Sequence, residues 1–180
     1  MPRNRQDQGK EAKRAEILAA ASSLFLAEGY DGASMGKIAA AAGLTPNTLY
    51  WYFRDKDELF VAVADIYLGQ LLEQHASVAE LPLAQQFVWL VDRLRPVRHL
   101  VATVHARVAR SSRIEHWHSG FHEQVEALFD DQVTLGLSEA RRVAESAVVT
   151  FAIEGAVMHD LGAGATTDLC HSLAQRLTAR

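Results

Sequence analysis

Residues 34–56 read SMGKIAAAAGLTPNTLYWYFRDK, and this stretch decides the fold. Ser34 is a good N-cap, its hydroxyl suited to accept from a backbone N–H at the start of a helix, and Ile38 and Ala39 lie in the helix that follows. Gly43 ends that helix. Thr45 then caps another, with Pro46 at the first helical position, where its fixed φ suits the helix and its missing N–H has no partner to lose. This helix runs from about Pro46 to Phe53. Joined by a tight turn at Gly43-Leu44, the pair has the layout of a helix-turn-helix, whose second helix enters a DNA major groove. Ile38, Leu49 and Phe53 are spaced to hold the pair against a preceding helix. Asn47 and Trp51 lie one turn apart on a face available to point outward.

That face has groove chemistry. Backbone N–H groups at the start of the Pro46 helix favour a phosphate. Ser34, Thr45 and Thr48 bring hydroxyls to the same region. Asn47 has the amide fork that pairs with adenine. Trp51 is suited to pack on a thymine methyl or donate to phosphate, Tyr50 to donate to phosphate, and Lys56 to act as a phosphate point charge.

Working outward, the spacing predicts a helix over about 14–28, with Ile17, Ala21, Leu24 and Phe25 on one face and Gly29 as its stop. Residues 1–13 read as a flexible basic arm. Asp55 and Glu58 form a capping box for a long helix reaching about Ala76. Five more helices are expected at about 83–94, 97–111, 114–136, 139–161 and 167–178, with breaks at Pro82, Pro96, Ser111-Ser112, Gly136 and Gly162–Gly164. The class is all-α with nine helices: a helix-turn-helix domain over 14–55 and a helical domain over 56–180.

The composition narrows the partners. The 180 residues hold 18 Lys+Arg and 22 Asp+Glu, a net charge of -4. A uniformly basic nucleic-acid binder is excluded, so any DNA-binding surface is local. Residues 1–60 are neutral, and they contain all four lysines. The acidic excess and all eight histidines fall later, which assigns the two parts different work. Cys170 is the single cysteine, so no internal disulfide forms, as suits a reducing cytoplasm. Residues 1–16 lack the apolar core of a signal peptide, and the longest strongly apolar run, 147–153, is far too short to span a membrane. A soluble cytoplasmic protein is expected.

From Ala15 to about Val63 the chain resembles the N-terminal domain of the TetR family of transcriptional regulators. The resemblance rests on Ile17-Leu18, Ala20-Ala21, Leu24-Phe25, Gly29-Tyr30, Ser34, Ile38-Ala39, Ala42-Gly43-Leu44, Thr48-Leu49-Tyr50, Tyr52-Phe53, Lys56 and Leu59. It implies a recognition helix over Thr45–Trp51 and phosphate contacts from Tyr50 and Lys56. Asn47 stands where many members have glycine, and brings an amide able to read a base. The resemblance also implies a nine-helix homodimer that binds operator DNA and a small-molecule effector, with no cofactor, most commonly as a repressor.

The later helices carry candidates by position alone. Trp89, His105, Trp117 and Phe121, with Phe87 and Arg107 beside them, are candidates to line an effector cavity. Residues 115–122 read EHWHSGFH; His118 and His122 are four apart and suit one metal on a helical face, with no clear third ligand nearby except His116 or Glu115, and no metal is assigned. The helix over 139–161 is apolar almost all round; Phe151 and Gly155 on it, with Leu169 and Leu173 on the last helix, are candidates for a dimer interface. No nucleophile setting or glycine-rich phosphate loop points to an enzyme. Two other readings stay open: a regulator without a small-molecule effector, and a helical metal- or ligand-binding protein.

Overall fold

The computed structural model describes residues 5–129, 132 and 138–178. Among these residues the regular structure is helical, with no strand. The helices are α1 (Arg5–Gly32), α2 (Met35–Ala41), α3 (Pro46–Tyr52), α4 (Lys56–His75), α5 (Leu83–Leu94), α6 (Arg98–Arg107), α7 (Ser112–Ala127), α8 (Glu139–Met158) and α9 (Ala163–Thr178). Single 3-10 turns at Arg95–Val97 and Val108–Arg110 flank α6.

The borders correct several expectations, and with them any simple helix count. Residues 5–13, read from the sequence as part of a flexible arm, are helical and continuous with α1. Gln, Lys, Glu and Ala in this segment are good helix formers, and Lys13 pairs with Glu16 one turn on. At Gly29 the path of α1 kinks, with φ +72° and ψ 175°, before one further turn. The expected 97–111 helix divides into α6 and its two 3-10 turns. α7 closes at Ala127, and most of the segment expected to carry it to 136 lies outside the described residues.

Two apolar cores meet along α4. The first collects Ile17 and Phe25 from α1, Ile38 from α2, Leu49 from α3, Phe53, and Leu59, Phe60 and Val63 from α4. Phe25, Tyr30 and Phe60 interlock there, Phe25–Phe60 and Tyr30–Phe60 edge to face with centroids 5.4 and 5.5 Å apart. Leu100 and Val104 of α6 and Ile114 of α7 complete this core, so the helix-turn-helix is seated on the later helices. The second core joins Leu71 of α4 to the buried stripe of α5, where Leu83, Ala84, Phe87, Leu90, Val91 and Leu94 recur at helical spacing. Ile153, Ala156 and Val157 of α8 and Cys170, Leu173 and Leu177 of α9 close it.

Candidate nucleic-acid interface and inner cavity

The turn between α2 and α3 is built as the residues demand. Ser34 Oγ accepts from Lys37 N at 3.2 Å. Gly43 takes φ +67°, the left-handed conformation an α-helix C-terminus commonly needs, while Leu44 N reaches back to Ala39 O at 2.8 Å. Thr45 Oγ1 accepts from Thr48 N at 3.2 Å and lies 2.9 Å from Thr48 Oγ1. At the α4 start Asp55 Oδ1 accepts from Glu58 N at 2.7 Å, and Glu58 Oε2 accepts from Arg54 N at 2.8 Å.

These caps fix which way α3 faces. Leu49 and Phe53 are buried at 0 % and 1 % exposure, as their spacing predicts. Tyr50 and Trp51 are exposed at 49 % and 67 %, and Asn47, Thr48 and Pro46 are exposed beside them. Lys10 Nζ lies 4.7 Å from the Trp51 ring centroid, so helical α1 brings a cation to this face. Lys56 is more constrained than a dangling phosphate contact. Its ammonium donates to Tyr30 O at 2.8 Å and sits 4.1 Å from the Tyr30 ring centroid. Burial is the first cause holding that amine below its ordinary pKa.

Behind this face lies a junction that sequence reasoning missed. Tyr30 OH donates to Asp57 Oδ1, and Arg107 Nη2 lies 2.9 Å from the same oxygen. The Arg107 guanidinium also lies 4.1 Å from the Tyr30 ring centroid. Arg107, a cavity candidate by sequence, thus ties the end of α6 to the start of α4. Burial acts to raise the Asp57 pKa, but hydrogen bonds from Tyr30 and Ser111 and the charge of Arg107 outweigh it and hold the carboxyl below its ordinary value.

A cavity of about 210 Å³ opens between α4, α6 and α7. Tyr67, Leu71, Leu94 and Val104 line it with three of the sequence candidates, His105, Trp117 and Phe121. The fourth, Trp89, is absent from this lining. It sits off the buried stripe of α5 and packs edge-on against His75, centroids 5.7 Å apart. Phe87 is wholly buried in the second core. Trp117 Nε1 donates to Asp65 Oδ1 on α4 at 2.7 Å. Sequence reasoning missed Glu154, which also lines the cavity. Its signal was available: it is the one charged residue in the apolar run 147–158.

The histidines divide. His116 is exposed, while His118 and His122 meet with Nε2 atoms 2.8 Å apart. Burial is the main cause holding both imidazoles below their ordinary pKa. Repulsion from His122 and His105 adds to it at His118; at His122, Glu126 opposes the shift and His105 reinforces it.

The dimer candidates also divide. Phe151 is 73 % exposed, in a stripe with Val143, Val148 and Met158 on the outer side of α8. Gly155 and Leu169 are half-buried. Leu173 is a correction: it is 6 % exposed inside the chain's own second core, where α9 packs on α5. Cys170 is fully buried nearby, and burial pushes its thiol up to about 11.

Residues 17–63 match the family model described as bacterial regulatory proteins, tetR family. The N-terminal domain is of the TetR family. The HTH-type transcriptional regulator AcrR of Shigella flexneri is 32 % identical over 104 residues, which are 58 % of this chain and 45 % of AcrR. The HTH-type transcriptional repressor Rv1474c of Mycobacterium tuberculosis is 34 % identical over 100 residues, 49 % of this chain and 51 % of that protein. The alignments thus span about half the length of these curated relatives. Similarity of fold extends over the TetR-type domain and the later helices together. A crystal structure described as a putative TetR-family transcriptional regulator from Mesorhizobium loti superposes with a TM-score of 0.71 at 21 % identity, covering 94 % of this chain and 96 % of that one. No helix among the described residues is long and apolar enough to cross a membrane.

Proposed function

We propose that this protein is a homodimeric, ligand-responsive transcriptional regulator, acting in the cytoplasm as a repressor and not as an enzyme. The observation that carries the reading is the outward face of α3. A seven-residue helix, capped by Thr45 and anchored by Leu49, presents Asn47, Thr48, Tyr50 and Trp51 to solvent. Large aromatic side chains left exposed on so short a helix suit a groove of bases and phosphates, and are unusual on a purely structural turn. The names of AcrR and the Rv1474c repressor, which share this domain, support the same assignment.

In this reading α3 enters the major groove and Asn47 reads a base edge. Tyr50, Lys56 and the helix start at Thr45 contact phosphates, and Lys10 adds a cation beside Trp51. Two copies joined through the Phe151 face of α8 address half-sites about 34–36 Å apart, or a multiple of that. An effector in the cavity acts by preferring one arrangement of α4, α6 and α7. Through Arg107, Asp57 and Tyr30, that preference reaches the spacing of the recognition helices. The test is a gel shift with DNA from upstream of the protein's own gene. A specific, competitor-resistant complex is expected. Binding no tighter than to random DNA, from a folded dimer, overturns the assignment.

A further inference from the structure

We propose that His105, His118, His122 and Glu154 form a binding site for one divalent transition-metal ion of the Zn²⁺ class. The four residues come from three helices, α6, α7 and α8, and converge through their Nε2 atoms on one carboxylate. Glu154 Oε1 lies 3.3 Å from His105 Nε2, 3.4 Å from His122 Nε2 and 4.0 Å from His118 Nε2. Ligand atoms of His105, His118 and Glu154 all lie within 4.8 Å of one another. A tetrahedral Zn²⁺ ion with ligands at about 2.0–2.1 Å separates those ligands by about 3.3 Å, so small side-chain movements close the site. His118 and His122, one helical turn apart, form the chelating pair, and His122 Nε2, 2.8 Å from His118 Nε2 and 3.4 Å from Glu154 Oε1, supplies the fourth ligand.

The surroundings argue for a built site. Among the described residues the Nε2 atoms of these three histidines lie within 4.0 Å of Glu154 Oε1, and no arginine or lysine is ion-paired with it. A carboxylate only 15 % exposed, in an otherwise apolar stretch of helix, needs compensating positive charge. Imidazole nitrogens supply polar contacts, whereas a dication supplies fixed charge. Three imidazoles and one carboxylate suit Zn²⁺, and also Ni²⁺, Cu²⁺ and Co²⁺, better than Mg²⁺ or Ca²⁺. His105, His118 and Glu154 also line the apolar cavity, which puts the ion at its wall.

Metal binding does not depend on the regulator reading; its consequence does. His105 is two residues from Arg107, which holds the junction at Asp57, and His118 adjoins Trp117, which is bonded to α4. Drawing α6, α7 and α8 together at the ion therefore acts on the base of the recognition domain.

The experiment titrates full-length, chelator-treated protein with Co²⁺ alone and follows its visible absorption, then displaces it with Zn²⁺. One ion per chain with a four-coordinate spectrum is expected. Glu154→Gln and His118→Gln should weaken binding by at least the roughly 100-fold that loss of even a supporting group can cost. His116→Gln, on the same helix but outside the cluster, should bind as wild type. Metal-free helical circular dichroism verifies folding, and His105→Gln replaces either variant that fails it. No four-coordinate spectrum in the wild type, or equal affinity across the folded variants, overturns the proposal. Gel shifts with and without Zn²⁺ then read the regulatory consequence: unchanged operator affinity by the loaded protein removes that role and leaves the site.

Discussion

Asp57→Ala removes the centre of the junction between the N-terminal domain and α6. The carboxylate is 20 % exposed and its partner Arg107 25 %, so the pair lies between two regimes. Exposed pairs contribute about 0–1 kcal/mol, while breaking a fully buried one costs about 3–5 kcal/mol. The Tyr30 hydroxyl also loses its acceptor. Together these set an expected loss of about 2–3 kcal/mol. For a chain of this size that lowers Tm by roughly 4–12 °C, measurable by circular dichroism.

The pH dependence has a definite sign. Because the folded carboxyl is held below its ordinary value, its stabilisation is complete above the unfolded pKa of about 3.9 and disappears as pH falls through the folded value. The Tm gap between wild type and Asp57→Ala should be constant from about pH 5 to 7 and shrink at lower pH. A double-mutant cycle with Arg107→Met should return a coupling of about 1–2 kcal/mol. Additive losses, or a gap unchanged at low pH, would refute the junction.

Three further outcomes are expected. Asn47→Ala should relax base preference in a selection from random sequences, while Lys56→Ala should weaken binding to all sequences and reduce the salt slope by about 1; the same selected site for wild type and Asn47→Ala would remove the base-reading role. Gly29→Ala should cost about 1–3 kcal/mol and Gly43→Ala about 1–2 kcal/mol by denaturant unfolding. An added Cβ meets nothing within 4 Å at either position, so the whole cost is the backbone conformation. Phe151→Glu should convert a dimer into a folded monomer by analytical ultracentrifugation, since it places a charge in the exposed stripe of α8; an unchanged dimer would move the interface elsewhere.

The order of α1 to α4 and the facing of the helix-turn-helix were legible in the sequence because their determinants are local. Caps at Ser34, Thr45 and Asp55, the stop at Gly43 and the spacing of Ile38, Leu49 and Phe53 all act within a few residues along the chain. One local border differed: residues 5–13 read as an arm because they are polar and charged, yet Arg, Lys, Glu and Gln are also good helix formers. What helical spacing leaves open is which side chains meet across helices. It makes His118 and His122 neighbours, but their meeting with His105 and Glu154 follows from how α6, α7 and α8 cross. The same reason separates Leu173 from the outer surface, Trp89 from the cavity, and Arg107 from its expected wall. A single helix's pattern defines its faces; only tertiary packing decides which partner each face receives.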